Sequence, residues 1–424
     1  MIKNILTSVL ILMTINVIAQ NSTLVFQDVI IHVGNGTVIE HGTLVIKNDK
    51  IIYAGALNNS YDNGAILVEN MQGKDIYPGM IALNSAMGLK EIELARATVD
   101  FSEVGLFNPN VRSIIAYNTD SKVIPTVRSN GVLLSETTPG GGIISGQSSV
   151  VKHSGWNWED AAVKMDLAMH MNWPSVYTYD YNTGKNKIDP GYEKNVDEIK
   201  NFFLEAKAYC STSTHNEKNL RFEAMRNVLA GKQKLFVKAY YAKEIISAVN
   251  MAKELNIQMV LISGGQVYHV LDLIKENNIP VVLESTFLLP SEEGEDVDLP
   301  FRLPAILQSK GILFGLTVSD DGSSYWNVRN LPFAAGIAAG NGLSKEEALA
   351  SVTYNNAKIL GIENEYGTLE AGKSATLFVS DGDVLDMMTS KVIYILISGE
   401  IISPENWQTD LYRQYSGKYG IEVK

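Results

Sequence analysis

The feature that most constrains the fold of this sequence is an alternation of strand and helix patterns between about residues 231 and 316. Short runs of β-branched and apolar residues predict strands at 235–239, 258–262, 280–283 and 312–316. Segments of helical periodicity between them predict helices at 242–255, 267–276 and 300–308. Because strands joined through a helix pair in parallel, this stretch predicts a parallel sheet covered by crossover helices.

The two ends of the chain have a different pattern. Segments of β-rich composition occur at 23–26, 29–33, 43–47 and 50–54, and again at 375–380 and 391–397. A helical stretch at 332–340 and 344–351 precedes the second group, and Ser344 with Glu347 predicts a capping box at its second helix. The chain therefore divides into a β-rich beginning, a βα-alternating middle and a β-rich end.

The first 19 residues have the pattern of a secretory signal peptide. Lys3 gives a basic start, an apolar run follows to Ile18, and Ala19 precedes the expected cleavage point. The alternative, a retained membrane anchor, is less favoured because the apolar run is short and Asn16 interrupts it. We expect a mature protein that is secreted or periplasmic, soluble, and without a transmembrane anchor after signal cleavage.

Composition excludes several classes of protein. The chain has 424 residues, of which 46% are hydrophobic and 19% charged, so it can bury a large core. Its formal net charge is −12 and no run of Lys or Arg occurs, which argues against nucleic acid as a partner. The single cysteine, Cys210, permits neither an intramolecular disulfide nor a thiolate zinc cluster.

Several motifs resemble those of the amidohydrolase superfamily, in particular its imidazolonepropionase-like, exported branch. They are the GTLEAGKSATLFV segment at 367–379, IYPGMI at 76–81, GLSKEEAL at 342–349 and TYNNAKILG at 353–361. This resemblance implies an α/β fold: a (β/α)8 TIM-like barrel plus a small β-sandwich built from the N- and C-terminal segments. We expect the signal peptide at 1–19, the sandwich at 20–77 and 363–424, and the barrel at 78–362.

The resemblance also implies a metal site, usually zinc, whose ligands this sequence lacks. A His-x-His pair normally ends the first barrel strand, because residues i and i+2 of a strand lie on one face. In this sequence Asn84 and Ala86 occupy those two positions. On strand five Lys238 occupies the ligand position, and on strand six Ser263 or Gly264 occupies it. Ala86 has no donor atom, and the amide of Asn84 is a poor zinc ligand beside imidazole or thiolate. We therefore expect no metal ligands and no cofactor.

The remaining polar residues at the strand ends form the predicted site, since that face of a barrel carries its function. We predict Lys238 and Asp320 as catalytic residues, paired as ions where the metal would lie. A purely structural salt bridge is the alternative. Lys238 as a base or Schiff-base nucleophile is a further hypothesis. The predicted substrate-binding residues are Asn84, Ser263, Glu284, Tyr240 and Trp326.

Three further segments have weaker signals. The glycine-rich stretch 140–147 lacks the Lys and Ser/Thr of a phosphate-binding loop, so we interpret it as a flexible βα-loop. The acidic stretch 291–298 is either a lid over the site or a solvated charged loop. Trp156 and Trp158 either cover the pocket or pack a loop.

Two functional classes stay open at this point. In the first, which we favour, the chain is a non-metallo homologue that binds a small molecule at the barrel mouth or serves as a partner subunit. Such a subunit would form a homodimer or a complex with an active homologue. In the second, it is a working hydrolase of cyclic amides or other C–N bonds, through rearranged metal ligands or through Lys238 and Asp320. Fold alone does not choose between them, because function lies in the site.

Overall fold

The structure, a computed structural model, describes residues 23–61, 66–68, 71–212, 214–287, 289, 294–318 and 325–421. The predicted signal peptide and Asp320 lie outside these residues. Among the helices of the described ranges, none combines the length and the apolar character needed to cross a bilayer.

The N-terminal part is a set of strands, as its composition predicts. They are β1 (Thr23–His32), β2 (Val38–Lys47), β3 (Lys50–Ala56), β4 (Ile66–Leu67) and β5 (Asp75–Pro78). Apolar side chains on these strands, including Phe26, Leu44 and Ile76, are fully buried and build a core separate from that of the barrel.

Next come the elements of the barrel. Its strands, with a hairpin (β10, β11) between them, are β6 (Met80–Ser85), β7 (Val132–Thr137), β8 (Ile144–Lys152), β9 (Ala162–Asn172), β10 (Tyr177–Asp180), β11 (Lys185–Ile188), β12 (Lys234–Lys238), β13 (Met259–Ile262), β14 (Val281–Leu283) and β15 (Phe314–Leu316). The helices are α1 (Val123–Arg128), α2 (Trp158–Ala161), α3 (Tyr192–Cys210), α4 (Leu220–Ala224), α5 (Arg226–Leu229), α6 (Ala242–Leu255), α7 (Leu271–Glu276), α8 (Leu299–Lys310), α9 (Leu331–Gly340), α10 (Lys345–Val352) and α11 (Tyr354–Leu360).

The C-terminal part returns to strands and ends in a helix. Its elements are β16 (Leu377–Ser380), β17 (Val392–Ile397), β18 (Glu400–Ile402) and α12 (Trp407–Tyr419). The terminal strands join into one sheet of order β18-β17-β16-β5-β1-β2-β3, with β4 paired to β1. The predicted fold class, a TIM-like barrel with a sheet domain made from both ends of the chain, is confirmed.

The barrel sheet has the order β15-β14-β13-β12-β9-β8-β7-β6. Strand β8 runs antiparallel to both β7 and β9, whereas the other neighbours pair in parallel. The glycine-rich stretch is therefore only partly the loop we expected, because residues 144–147 belong to β8. One consequence is that β8 begins at the carboxyl ends of its neighbours and ends at the opposite face of the barrel.

Side chains close the seam between the last and first barrel strands. Asn356 is fully buried on α11, and its Nδ2 donates to the carbonyls of Ile81 at 2.7 Å and Leu316 at 3.1 Å. The Thr317 hydroxyl donates to the carbonyl of Leu83 at 2.5 Å. These bonds join strand β6 to β15, so the motif at 353–361 has a structural role at the seam.

A histidine joins the terminal sheet to the barrel. His32, at the end of β1, has Nε2 3.0 Å from Asp75 Oδ1 and Nδ1 2.7 Å from Glu346 Oε1 on α10. Its ring stacks on Tyr77 at 4.3 Å. Burial by itself lowers the pKa of His32, but the hydrogen bonds to the two carboxylates outweigh it and raise the pKa to about 9.

Candidate functional site

A cavity of about 120 Å³ opens at the carboxyl ends of the barrel strands. The residues that line it come from the ends of four strands, β6, β9, β12 and β13, from the start of β8 and from the adjoining loops. They are Asn84, Phe101, Thr138, Pro139, Gly140, Gly141, Ser145, His170, Met171, Asn172, Lys238 and Ile262. Ligand sites of barrel proteins lie at this face, so we take this cavity, here called the mouth cavity, as the candidate site.

Asn84 lies near the end of strand β6 in a left-handed conformation, with φ of 51°. Asparagine tolerates this backbone geometry better than most residues. The turn directs its backbone N–H inward, where it donates to Glu136 Oε2 at 3.0 Å. Two residues on, Ala86 is buried and offers no polar side-chain atom.

Glu136, on strand β7, is a fully buried carboxylate that contacts two residues of the mouth cavity, Asn84 and His170. Besides Asn84, its donors are the Ser148 hydroxyl at 2.7 Å and His170 Nε2 at 2.8 Å, both to Oε1. Burial raises the pKa of this carboxyl, but the charge and hydrogen bond of His170, with the donors Ser148 and Asn84, bring it below the usual value. Glu136 is therefore ionised in the folded protein.

The bond to Glu136 fixes the tautomer of His170. An ionised carboxylate only accepts hydrogen bonds, so Nε2 carries the proton. The ring packs at 5.0 Å from Phe236, and the residue lines the mouth cavity from the end of β9. His170 is thus an imidazole oriented by a buried carboxylate at the edge of the mouth cavity.

Lys238 ends strand β12 and lines the same cavity. Its Nζ lies 2.5 Å from Glu284 Oε1, which follows strand β14. The lysine side chain is 38% exposed and the glutamate 9%. The structure thus pairs Lys238 with Glu284, whereas the predicted partner Asp320 lies outside the described residues. The ammonium group stays partly open to the cavity.

The other predicted substrate-binding residues are placed differently. Ser263 is buried behind the cavity, and its Oγ accepts from the Gly265 N–H at 3.4 Å. Tyr240 packs its ring on Gly265. Trp326 is 39% exposed and packs edge-on against Tyr325. None of these three residues lines the mouth cavity.

The described residues do not make up a zinc site. A catalytic zinc takes three protein ligands, drawn mostly from His, Cys, Asp and Glu. Within the described ranges, no three residues of these types gather closely enough to hold a metal ion. At the positions where the resemblance expects ligands, the mouth presents an amide, a methyl group, a hydroxyl and an ammonium group instead.

Two predicted rim features are partly described. Residues 291–293 of the acidic stretch lie outside the described ranges, but Asp296 and Asp298 bind Arg302 at 2.8 and 2.9 Å. This part of the stretch is tied to helix α8. Trp158 packs on the barrel core, whereas Trp156 is 93% exposed.

Sequence reasoning did not find Glu136 or the role of His170. Glu136 stands in an otherwise apolar and small-residue strand, and a carboxylate in such a strand is a signal of a paired, buried charge. His170 sits in an alternating strand pattern, MDLAMHMN. The two are 34 residues apart, so only the fold identifies them as partners.

The chain has sequence similarity to one protein-family model and to one curated protein. Residues 196–404 match the model of the Amidohydrolase family. Over 67 residues the chain is 40% identical to an imidazolonepropionase of Syntrophobacter fumaroxidans, a stretch that is 16% of this chain and only 15% of that protein.

Solved structures show the same fold. An amidohydrolase from Thermotoga maritima superposes with a TM-score of 0.79 at 24% identity, over 89% of this chain and 99% of that one. A putative prolidase from Bifidobacterium longum has a TM-score of 0.52 at 14% identity, over 94% and 99%. The family match over residues 196–404, the short stretch shared with the imidazolonepropionase and the common fold all support a place for this chain in the amidohydrolase superfamily.

Proposed function

We propose that this chain is an exported amidohydrolase-superfamily protein whose barrel mouth binds a small polar ligand without a metal ion. The observation that carries the proposal is the Lys238–Glu284 ion pair, 2.5 Å across, at the strand end where the family holds a zinc ligand. A fixed ammonium group next to the would-be metal repels a divalent cation, and it supplies the positive charge that a metal would otherwise bring.

The buried charges of the mouth support the same proposal. Glu136 and Glu284 are the carboxylates that a metal would be expected to recruit, and each already has a partner within the protein, His170 and Lys238. Because a buried carboxylate is costly only while unpaired, these two carboxylates need no metal for charge balance. Asn84 and the exposed part of Lys238 line the cavity and are available to hydrogen-bond a ligand.

In this proposal the metal-dependent hydrolysis of C–N bonds has been lost. The chain then acts as a ligand-binding protein or as a subunit, either as a homodimer or beside an active homologue. It works in the periplasm or outside the cell, where the leader of residues 1–19 would direct it.

Metal analysis of the purified mature protein tests the proposal. The protein is analysed as isolated, after incubation with zinc, and after treatment with a chelator. We expect far less than one zinc per chain in each case and no change in thermal stability on chelation. One tightly held zinc per chain, whose removal lowers the melting temperature, would refute it.

A second candidate function rests on His170. This imidazole, oriented by Glu136, lines the same cavity as Lys238, so a metal-free hydrolase of cyclic amides has a proton acceptor and a cation in place. Lys238 acting with Asp320 is the related version of this candidate. Turnover of five- or six-membered cyclic amides that resists chelator but is abolished in His170→Asn would favour this function over the first.

A further inference from the structure

A second concave site lies at the opposite end of the barrel from the mouth. It is a groove of about 840 Å³ between the barrel and the terminal sheet, lined by residues 119–122, 124–125, Arg128, 152–156, Asp160 and 400–403. We call it the basal groove. Its volume is in the range of small-molecule sites, and domain boundaries are a frequent place for them.

The antiparallel strand β8 builds one wall of this groove. Because β8 runs against its neighbours, its end at Lys152 lies beside the beginning of β7, where Lys152 pairs with Leu134. The next residue, His153, is held there by its N–H, which donates to the carbonyl of Leu133 at 2.9 Å. Residues 152–156 are thereby fixed on the basal face.

Arg128, the last residue of α1, is a half-buried cation that forms no ion pair with the described carboxylates. Its Nη1 donates to the carbonyl of His153 at 2.8 Å, and Nε is shielded from solvent with no hydrogen-bond partner among the described residues. Within the described ranges no carboxylate forms an ion pair with it. A guanidinium withdrawn from water is costly unless an anion or acceptor meets it.

A second unsatisfied group lies in the same groove. Ser154 Oγ is shielded from solvent and has no hydrogen-bond partner in the part of the chain that the structure describes. Lys152 adds another cation, whereas burial lowers the pKa of His153 to about 3 and leaves it neutral. Asp120, Asp160 and Glu400 also line the groove, but all three are exposed, so water screens their charges.

Trp156 gives the groove an aromatic face. The indole is 93% exposed, while the backbone around it is tethered: its carbonyl accepts from Thr119 Oγ1 at 3.1 Å and its N–H donates to Asp160 Oδ2 at 3.3 Å. An exposed tryptophan on a fixed backbone provides a stacking surface at low entropic cost.

We propose that the basal groove binds a small molecule that carries an oxyanion, a carboxylate or a phosphate, attached to a ring. The oxyanion accepts from Arg128, Ser154 and Lys152, and the ring lies on Trp156. The planar guanidinium is suited to the two oxygens of such a group. The proposal does not depend on what the mouth cavity binds.

Calorimetric titration of the mature protein with defined probes tests this site. The probes are phenyl phosphate and benzoate, which carry both oxyanion and ring, inorganic phosphate, which lacks the ring, and benzyl alcohol, which lacks the anion. We expect phenyl phosphate or benzoate to bind at micromolar to millimolar concentrations, and benzyl alcohol not to bind. The stronger of the two anions identifies the oxyanion that the groove prefers.

Variants locate the binding. We expect Arg128→Gln to weaken it at least about tenfold, since a charge-assisted bidentate contact is lost. Trp156→Ala is expected to weaken the binding of phenyl phosphate and to leave the binding of inorganic phosphate unchanged. Ser154→Ala, which removes only the unpartnered hydroxyl of a half-buried residue, provides a mild second variant if Arg128→Gln folds poorly, which circular dichroism reports. Lys238→Met, in the mouth, is the matched control and is expected to bind like the wild type.

Three results would overturn the proposal. They are the absence of binding of every anion to the wild type, equal affinities in wild type, Arg128→Gln and Ser154→Ala, and loss of binding in Lys238→Met instead. The last result would assign the probes to the mouth cavity.

Discussion

The two ends of the barrel differ in whether their buried charged groups have partners within the described part of the protein. At the mouth, the carboxylates Glu136 and Glu284 are each matched by a cation or a set of donors. At the basal groove, the Arg128 guanidinium is withdrawn from water and no described carboxylate meets it. A matched charge needs no partner from outside the chain, whereas an unmatched one indicates a missing ligand. The charge that is available for a ligand therefore lies at the end of the barrel opposite the family's usual metal position.

The largest effect is expected from breaking the buried Glu136–His170 pair next to the mouth cavity. Glu136→Gln replaces the carboxylate that His170 contacts with an amide, and in either orientation the NH2 group of that amide faces at least one hydrogen-bond donor. We expect a loss of about 3–5 kcal/mol in the free energy of unfolding, as for other broken buried pairs. Urea denaturation measures it, with the exposed Glu400→Gln as the control, expected to change stability by less than about 0.5 kcal/mol. A loss below about 1 kcal/mol in Glu136→Gln would contradict the view that the mouth depends on this pair.

The seam of the barrel is the next most sensitive place. Asn356→Ala removes the two hydrogen bonds that Asn356 donates, to Ile81 on β6 and Leu316 on β15, and leaves a small cavity, so we expect a loss of about 2–4 kcal/mol. Its neighbour Asn355 donates a single bond, to the Phe314 carbonyl at 2.9 Å, and is half-buried. Asn355→Ala is therefore the matched control, with an expected loss of about 1 kcal/mol. Equal losses in the two variants would show that the seam does not depend on Asn356.

Much of this fold follows from local signals in the sequence. Helix α6 begins and ends at the residues that its periodicity predicts, 242 and 255. The capping box of Ser344 and Glu347 forms at the start of α10. These features depend on residues within a few positions of one another, so a single sequence contains the information for them.

What the sequence did not reveal depends on contacts between distant residues. The direction of β8 is set by pairing with β7 and β9, and its glycine-rich beginning has a loop composition. Gly140, for example, is required because the Phe101 ring packs where a side chain would begin. The Glu136–His170 pair likewise needs β7 and β9 in register. Of the predicted site residues, the structure places Asn84 and Lys238 in the mouth cavity and Glu284 beside Lys238, while the groove at the other end was not anticipated.

The junction between the terminal sheet and the barrel gives a pH-dependent test of charge matching. The pKa of His32 is about 9 in the folded protein, whereas its ordinary value is 6.5. Because the folded pKa is the higher one, the stabilisation is fully present below pH 6.5, declines between 6.5 and 9, and is lost above 9. We expect up to about 3 kcal/mol at pH 6.

The measurement compares the wild type with His32→Gln at several pH values. The difference in the free energy of unfolding between the two should fall as the pH rises from 6 to 10. Taking the difference removes the contribution of lysines and tyrosines that titrate in both proteins. A difference that is constant with pH would mean that His32 is not charged in the fold.

The smallest effect is expected at the unmatched charge itself, and it separates the two ends of the barrel most directly. Arg128→Gln loses the hydrogen bond to His153 but also relieves the desolvation of an unpaired guanidinium, which burial already opposes by lowering its pKa. These contributions have opposite signs, so in ligand-free protein we expect a change within about 1 kcal/mol. The free energy of unfolding in urea, without phosphate or carboxylate buffers, measures this change.

A loss comparable to that of Glu136→Gln would assign Arg128 a structural role, and the buried charges at both ends of the barrel would then contribute to stability. A near-neutral change would mean that this half-buried cation is retained for something other than stability, because the folded chain alone gains little from it.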